Sequence, residues 1–152
     1  MDDEKASSIT VVMAFNAILV HRSLFSHVQP ILDRLLGRIT VSGMQAAKYG
    51  LTRVIPDIRD ASNEVKAVAQ EAAGTALESA AAQAGDYLDG LEAACSALRE
   101  VMAAGKTEDI AAKLDAFAPL AAAASDINHA TETAIDELGI SDAAANYTYR
   151  GM

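Results

Sequence analysis

Three histidines, one cysteine and a scatter of carboxylates are the side chains in this 152-residue chain best suited to proton transfer, metal binding or nucleophilic attack. His21 and His27 are close in sequence, but six helical residues turn them ~120° apart, so they do not face one ion as an i, i+4 pair would. Both are expected at a helix boundary or an interface. Asp126 and His129 lie three residues apart, adjacent on a helix face, and read as an exposed ion pair. Cys95 falls between Leu91 and Leu98 on an apolar seam, which predicts a buried and inert thiol. With one cysteine, no disulfide and no cysteine-based zinc site forms within the chain.

One pairing has sharper chemistry. If the chain folds as an up-down-up-down bundle, Met13 in the first helix and His129 in the last fall at the same end. That arrangement resembles the Met/His haem ligation of soluble b-type cytochrome bundles in topology, not in motif. No Cys-x-x-Cys-His attachment sequence accompanies it, and His129 lies beside the seam position Asn128 instead of on it. There is also no GxSxG elbow, phosphate-binding glycine loop, HExxH, EF-hand or Glu-x-x-His pair, and each absence removes a reaction class that needs that geometry. Catalytic residues and a metal site are therefore not assigned.

The elements that must position these residues are all helical. The chain is 51% apolar and only 5% aromatic, with no tryptophan and abundant alanine, and its length suits one closely packed domain over residues 1–140. Ile9 to Val20 is apolar on nearly every side, broken only by Thr10 and Asn16, so as a helix it must lie inside a bundle, between subunits or against lipid. The run is only twelve residues long, short of the ~20 needed to span a bilayer. No secretory signal is legible, since the first residues are acidic, and the expectation is a soluble, cytoplasmic protein.

The first helix is expected from about Lys5 to Leu36, with a stripe Met13, Ala17, Val20, Leu24, Val28, Ile31, Leu35 and a stop at Gly37. A capping box Ser42-x-x-Gln45 opens the second. Its seam, Met44, Ala47, Leu51, Val54, Ile58, Ala61, Val65, Val68, Ala72, Thr75, Ser79, Ala82, holds register across Pro56 and predicts one long kinked helix ending at Gly85. A break at Pro56 would give five helices. A short third helix carries Tyr87, Leu88, Leu91, Cys95, Leu98 and Met102; Gly105 then turns the chain and Thr107 caps the next start. The fourth carries Ile110, Leu114, Phe117, Ala121, Ala124, Asn128, Thr131, Ile135 and Leu138 in unbroken register across Pro119, and closes at Gly139. The tail, residues 141–152, docks or frays; its Tyr147, Tyr149 and Arg150 have the composition of a contact site.

The fold class is thus an all-α antiparallel four-helix bundle with a long second helix. A second helix of that length overhangs the third, and an overhanging seam wants a partner. Homo-oligomer formation is accordingly predicted, through Val12, Phe15, Asn16, Ile18 and Leu19 of the first helix and Val54, Ile58, Val65 and Val68 of the second, with another protein as a further kind of partner. Asn16 and Asn128 are amides in apolar settings and would fix register. Charge gives the other constraint. The net charge of −9 argues against nucleic acid. Residues 1–66 carry eight Lys or Arg against seven Asp or Glu, and residues 67–152 four against fourteen, so the halves are +1 and −10. The functional expectation is a non-enzymatic interaction or structural protein. A bundle binding haem or another apolar molecule, and a membrane-surface protein inserting its first helix, are the alternatives; Lys5 and Arg22 give the latter little of the basic face it would use.

Overall fold

The computed structural model describes residues 4–37 and 41–138; within them the side chains of 4–16, 36–37, 41, 135 and 138 fall outside the description. Helix α1 spans Glu4–Gly37, α2 Val41–Glu71, α3 Leu77–Ala103, a short α4 Ile110–Asp115 and α5 Ala118–Leu138, with a single 3-10 turn at Thr107–Asp109. Among the described residues there is no strand. The protein is an all-α four-helix bundle in which α4 and α5 together make the fourth leg. Successive legs run antiparallel, and α3 is the central one, packing on α1, α2, α4 and α5.

The core follows from the three-four spacing of large aliphatic residues. Ile18, Val28, Leu51, Ile58, Val65, Leu88, Leu91, Leu98, Ile110 and Ile127 are wholly buried. Three polar ties join α2 to α3: Ser62 Oγ donates to Asp89 at 2.6 Å, Lys66 pairs with Asp89 at 2.9 Å, and Arg59 pairs with Glu92 at 2.9 Å. The expected α2 seam is buried or half-buried at every position from Met44 to Val68. Pro56 stands on the exposed side of α2, where its missing N–H and ring leave the buried face intact, and the helix continues through it. Pro30 is likewise exposed inside α1.

The second helix ends earlier than its sequence pattern predicts. It stops at Glu71, the chain turns through Gly74 at φ +82°, and α3 starts at Leu77, ten residues before Tyr87. Thr75, Ser79 and Ala82, expected on the α2 seam, are exposed, and Gly85, expected as its stop, is buried within α3. In the turn, Thr75 Oγ1 accepts from Leu77 N at 3.3 Å while Glu78 accepts from Gly74 N at 3.0 Å, an arrangement close to a capping box. α3 is therefore 27 residues long against 31 for α2, and the overhang that motivated a partner disappears. Gly74→Ala should cost about 1 kcal/mol in urea unfolding, since the added Cβ meets no atom and the whole penalty is that of the left-handed backbone.

The turn after α3 is where it was expected. Lys106 N bonds Val101 O and Gly105 N bonds Met102 O, both at 3.1 Å, with Gly105 at φ +71°, which is a Schellman stop. Thr107 opens the 3-10 turn without a side-chain cap. The last leg is not continuous across Pro119. Ala116, Phe117 and Leu120 make only i→i−3 bonds, and Pro119 sits in the first turn of α5, where its absent N–H costs nothing. After the break Leu120 and Ile127 take the buried positions expected of Ala121 and Asn128, while Ala124 is half-buried and Thr131 buried as the seam predicts. Among the described residues no helix is long and apolar enough to cross a membrane. The stop at Gly139 and the tail 141–152, with its Tyr147, Tyr149 and Arg150, lie outside the described residues.

Candidate functional site

The middle of the bundle holds its most unusual side chains. His21 follows Ile18 by three residues and precedes Leu24 by three, which puts it on the inward stripe of α1, and it is 1% exposed. Its ring meets Tyr87 of α3 edge to face, with centroids 5.0 Å apart and planes at 63°. Nε2 of His21 is buried with no hydrogen-bond partner. Burial, and secondarily the neighbouring Arg22 guanidinium, lowers the imidazole to a pKa of about 4, so the ring is neutral near pH 7. Tyr87 is pushed up to about 12 by burial and then by Cys95. Cys95 is itself raised to about 12 by burial, which leaves it a buried, protonated thiol near pH 7.

A polar clasp joins the outer legs at the same level. Arg22 of α1 donates to Asn128 Oδ1 of α5 from Nε at 3.1 Å and from an Nη at 2.6 Å. Asn128, expected as a buried register amide, is half-buried and works by accepting from Arg22. Behind it Thr131 is fully buried and satisfied by Ile127 O at 2.7 Å. A satisfied clasp over a neutral histidine, a phenol and a thiol makes a packed polar centre. The imidazole stands in it as a neutral, packed ring whose Nε2 is buried without a hydrogen-bond partner.

The other candidate residues are not gathered here. His129 is exposed on α5, and its neighbour Asn128 stands opposite Arg22, about two and a half turns along α1 from Met13. The haem pairing of Met13 with His129 thus gains nothing from the bundle, and the Met13 side chain lies outside the described residues. Asp126 is exposed beside His129 without an ion pair between them. His27 is exposed, its Nδ1 2.7 Å from Ser23 O. Among the described residues no group of three or more His, Cys, Asp or Glu side chains is placed to hold a metal ion.

The residues predicted for self-association divide sharply. Ile18, Leu19, Val54, Ile58 and Val65 are buried within one chain and Val68 is half-buried, so they serve the protomer's own core. Val12, Phe15 and Asn16 lie in α1 with side chains outside the described residues. The sequence reading put His21 at a helix boundary because it ends the apolar run and precedes Arg22. Its spacing from Ala17 and Leu24 was the signal that it faces inward. No protein family, curated protein or solved structure matches the chain.

Proposed function

We propose that this is a non-enzymatic, cytoplasmic interaction protein, a helical bundle that self-associates through the N-terminal part of α1. The observation that carries the reading is the enclosure of α1. From Ala17 to Phe25 no residue is exposed, on any side of the helix. α1 continues as helix for more than three turns ahead of Ala17, with the sequence still apolar from Val11 to Phe15. A helix that is apolar all round is stable only when covered all round. A second copy supplying that cover at Val12 and Phe15, with Asn16 fixing the register, completes the enclosure begun at Ala17.

The neutral, walled-in centre at His21 and Cys95 supports a structural role over a catalytic one. The test is the solution mass of Phe15→Glu beside the wild type, by size exclusion with light scattering. The expected result is a wild type heavier than the 15.9 kDa chain and a helical Phe15→Glu variant of lower mass than the wild type. A variant that keeps the wild-type mass would sink the reading.

A further inference from the structure

The surface of the described bundle carries one exposed large hydrophobic side chain, Tyr49 of α2, at 66% exposure. It does not stand alone. The Arg53 guanidinium lies over its ring at 5.9 Å from the centroid, one turn along the same helix, and forms no salt bridge. Ring and cation together make a knob. An aromatic side chain capped by arginine and held out in water is the composition that concentrates binding energy at interfaces.

A surface of complementary chemistry lies between two other helices. Between α3 and α5 an open groove of about 290 Å³ is lined by Tyr87, Pro119, Leu120 and Ala123 together with Gln83 and the carboxylates Asp86 and Asp126. Both carboxylates are exposed and neither is in a salt bridge. The groove is open to solvent on one side and offers an apolar surface beside two carboxylates, which is the chemistry an aromatic ring and a cation would meet. The groove belongs to the half of the chain with net charge −10 and the knob to the half with +1. Within one protomer the two do not meet, because α2 packs on α1 and α3 while the groove opens on the α5 side of α3.

We infer that Tyr49 and Arg53 of one copy seat in the α3–α5 groove of a second copy, the ring on Leu120 and Ala123 and the guanidinium between Asp86 and Asp126. This adds a second contact surface, separate from α1, and rests on the reading that the chain self-associates. Because knob and groove are different surfaces, the contact is heterologous and leaves a free knob and a free groove at its ends. Assembly through it therefore grows with protein concentration and weakens with salt, unlike a closed dimer made by two apolar helices.

The deciding experiment compares the wild type, Phe15→Glu, Arg53→Glu and the double variant Arg53→Glu with Asp126→Arg by light scattering across concentration at low and high salt. Helicity is checked for each; Arg53 and Asp126 are exposed and outside any salt bridge, so the fold does not depend on them. The expected result is concentration-dependent growth of the wild type at low salt, weakened about tenfold or more by Arg53→Glu and recovered in the double variant. Growth unchanged by Arg53→Glu, or lost and not recovered by the reversed pair, overturns this contact; if Phe15→Glu still dissociates the protein, the α1 reading survives it. A wild type at 15.9 kDa under every condition overturns both.

Discussion

Ile18→Glu is expected to unfold the protein, whereas Phe15→Glu should leave a folded chain of altered mass. Ile18 has 0% exposure and belongs to the single large core cluster with Leu24, Val28 and the facing α2 and α3 residues. Losing the isoleucine forfeits roughly 1.5–3 kcal/mol of side-chain burial. The glutamate adds a carboxylate in a neighbourhood whose nearest ionisable core group, His21, is held neutral by burial and next to the Arg22 charge. Either the carboxylate is desolvated unpaired, or it stays protonated at the cost of a large upward pKa shift; both routes cost several kcal/mol more. The total rivals the whole stability of an ordinary domain, roughly 5–15 kcal/mol. Far-UV circular dichroism at room temperature is the check, with the expected outcome a loss of most helical signal. A fully helical Ile18→Glu protein would mean that the first helix is not seated as described.

The contrast between those two substitutions also marks what the sequence could and could not tell. Large aliphatic residues at three-four spacing announced the inward faces of α1, α2 and the C-terminal part of α3, and Met44 to Val68 and Leu88 to Met102 are buried or half-buried where the pattern put them. Where the seam passes into Ala, Thr and Ser the same spacing carries almost no energy, because a small side chain gains little by facing inward. The pattern accordingly ran through Gly74 into Ser79 and Ala82, which are exposed. The signal for the turn was local instead: Thr75-x-x-Glu78 behind a glycine, the form of a helix start.

Proline was ambiguous for a related reason. Pro56 and Pro119 have the same chemistry, yet α2 passes the first because Val54, Ile55 and Ile58 bury the opposite face around it. The leg breaks before the second, where Ala116 and Ala118 flank Phe117 and are themselves exposed. Neighbours that bury enough area hold a helix across a missing hydrogen bond; alanines do not. The polar centre was hidden because His21 reads equally as the end of an apolar run. Its three-four spacing from Ala17 and Leu24 places it inward, and Tyr87, sixty-six residues on, packs against its ring.

That burial has a measurable consequence in acid. The unfolded chain binds a proton at His21 with a pKa near the ordinary 6.5, while in the fold the value is about 4, through burial first and the Arg22 charge second. Above pH 6.5 neither state is protonated there and the residue adds no pH dependence. As the pH falls from 6.5 towards 4, the unfolded state takes up the proton and the folded state resists it, so stability declines by up to about 1.4 kcal/mol per pH unit. Below about 4 both states are protonated and the loss is complete, at about 3 kcal/mol. Carboxylates contribute an acid limb of their own; Asp89, held low by Ser62 and Lys66, is one. The informative quantity is therefore the difference between the wild type and His21→Leu, which keeps an apolar group against Tyr87 and removes both the titration and the unpaired Nε2. Urea unfolding of the two proteins should give similar stabilities at neutral pH, or a more stable variant, and a gap in the variant's favour that widens steadily to pH 4. Two curves that stay parallel over that range would show that the ring is already solvated in the folded protein, and the enclosure of α1 that supports self-association would lose its anchor.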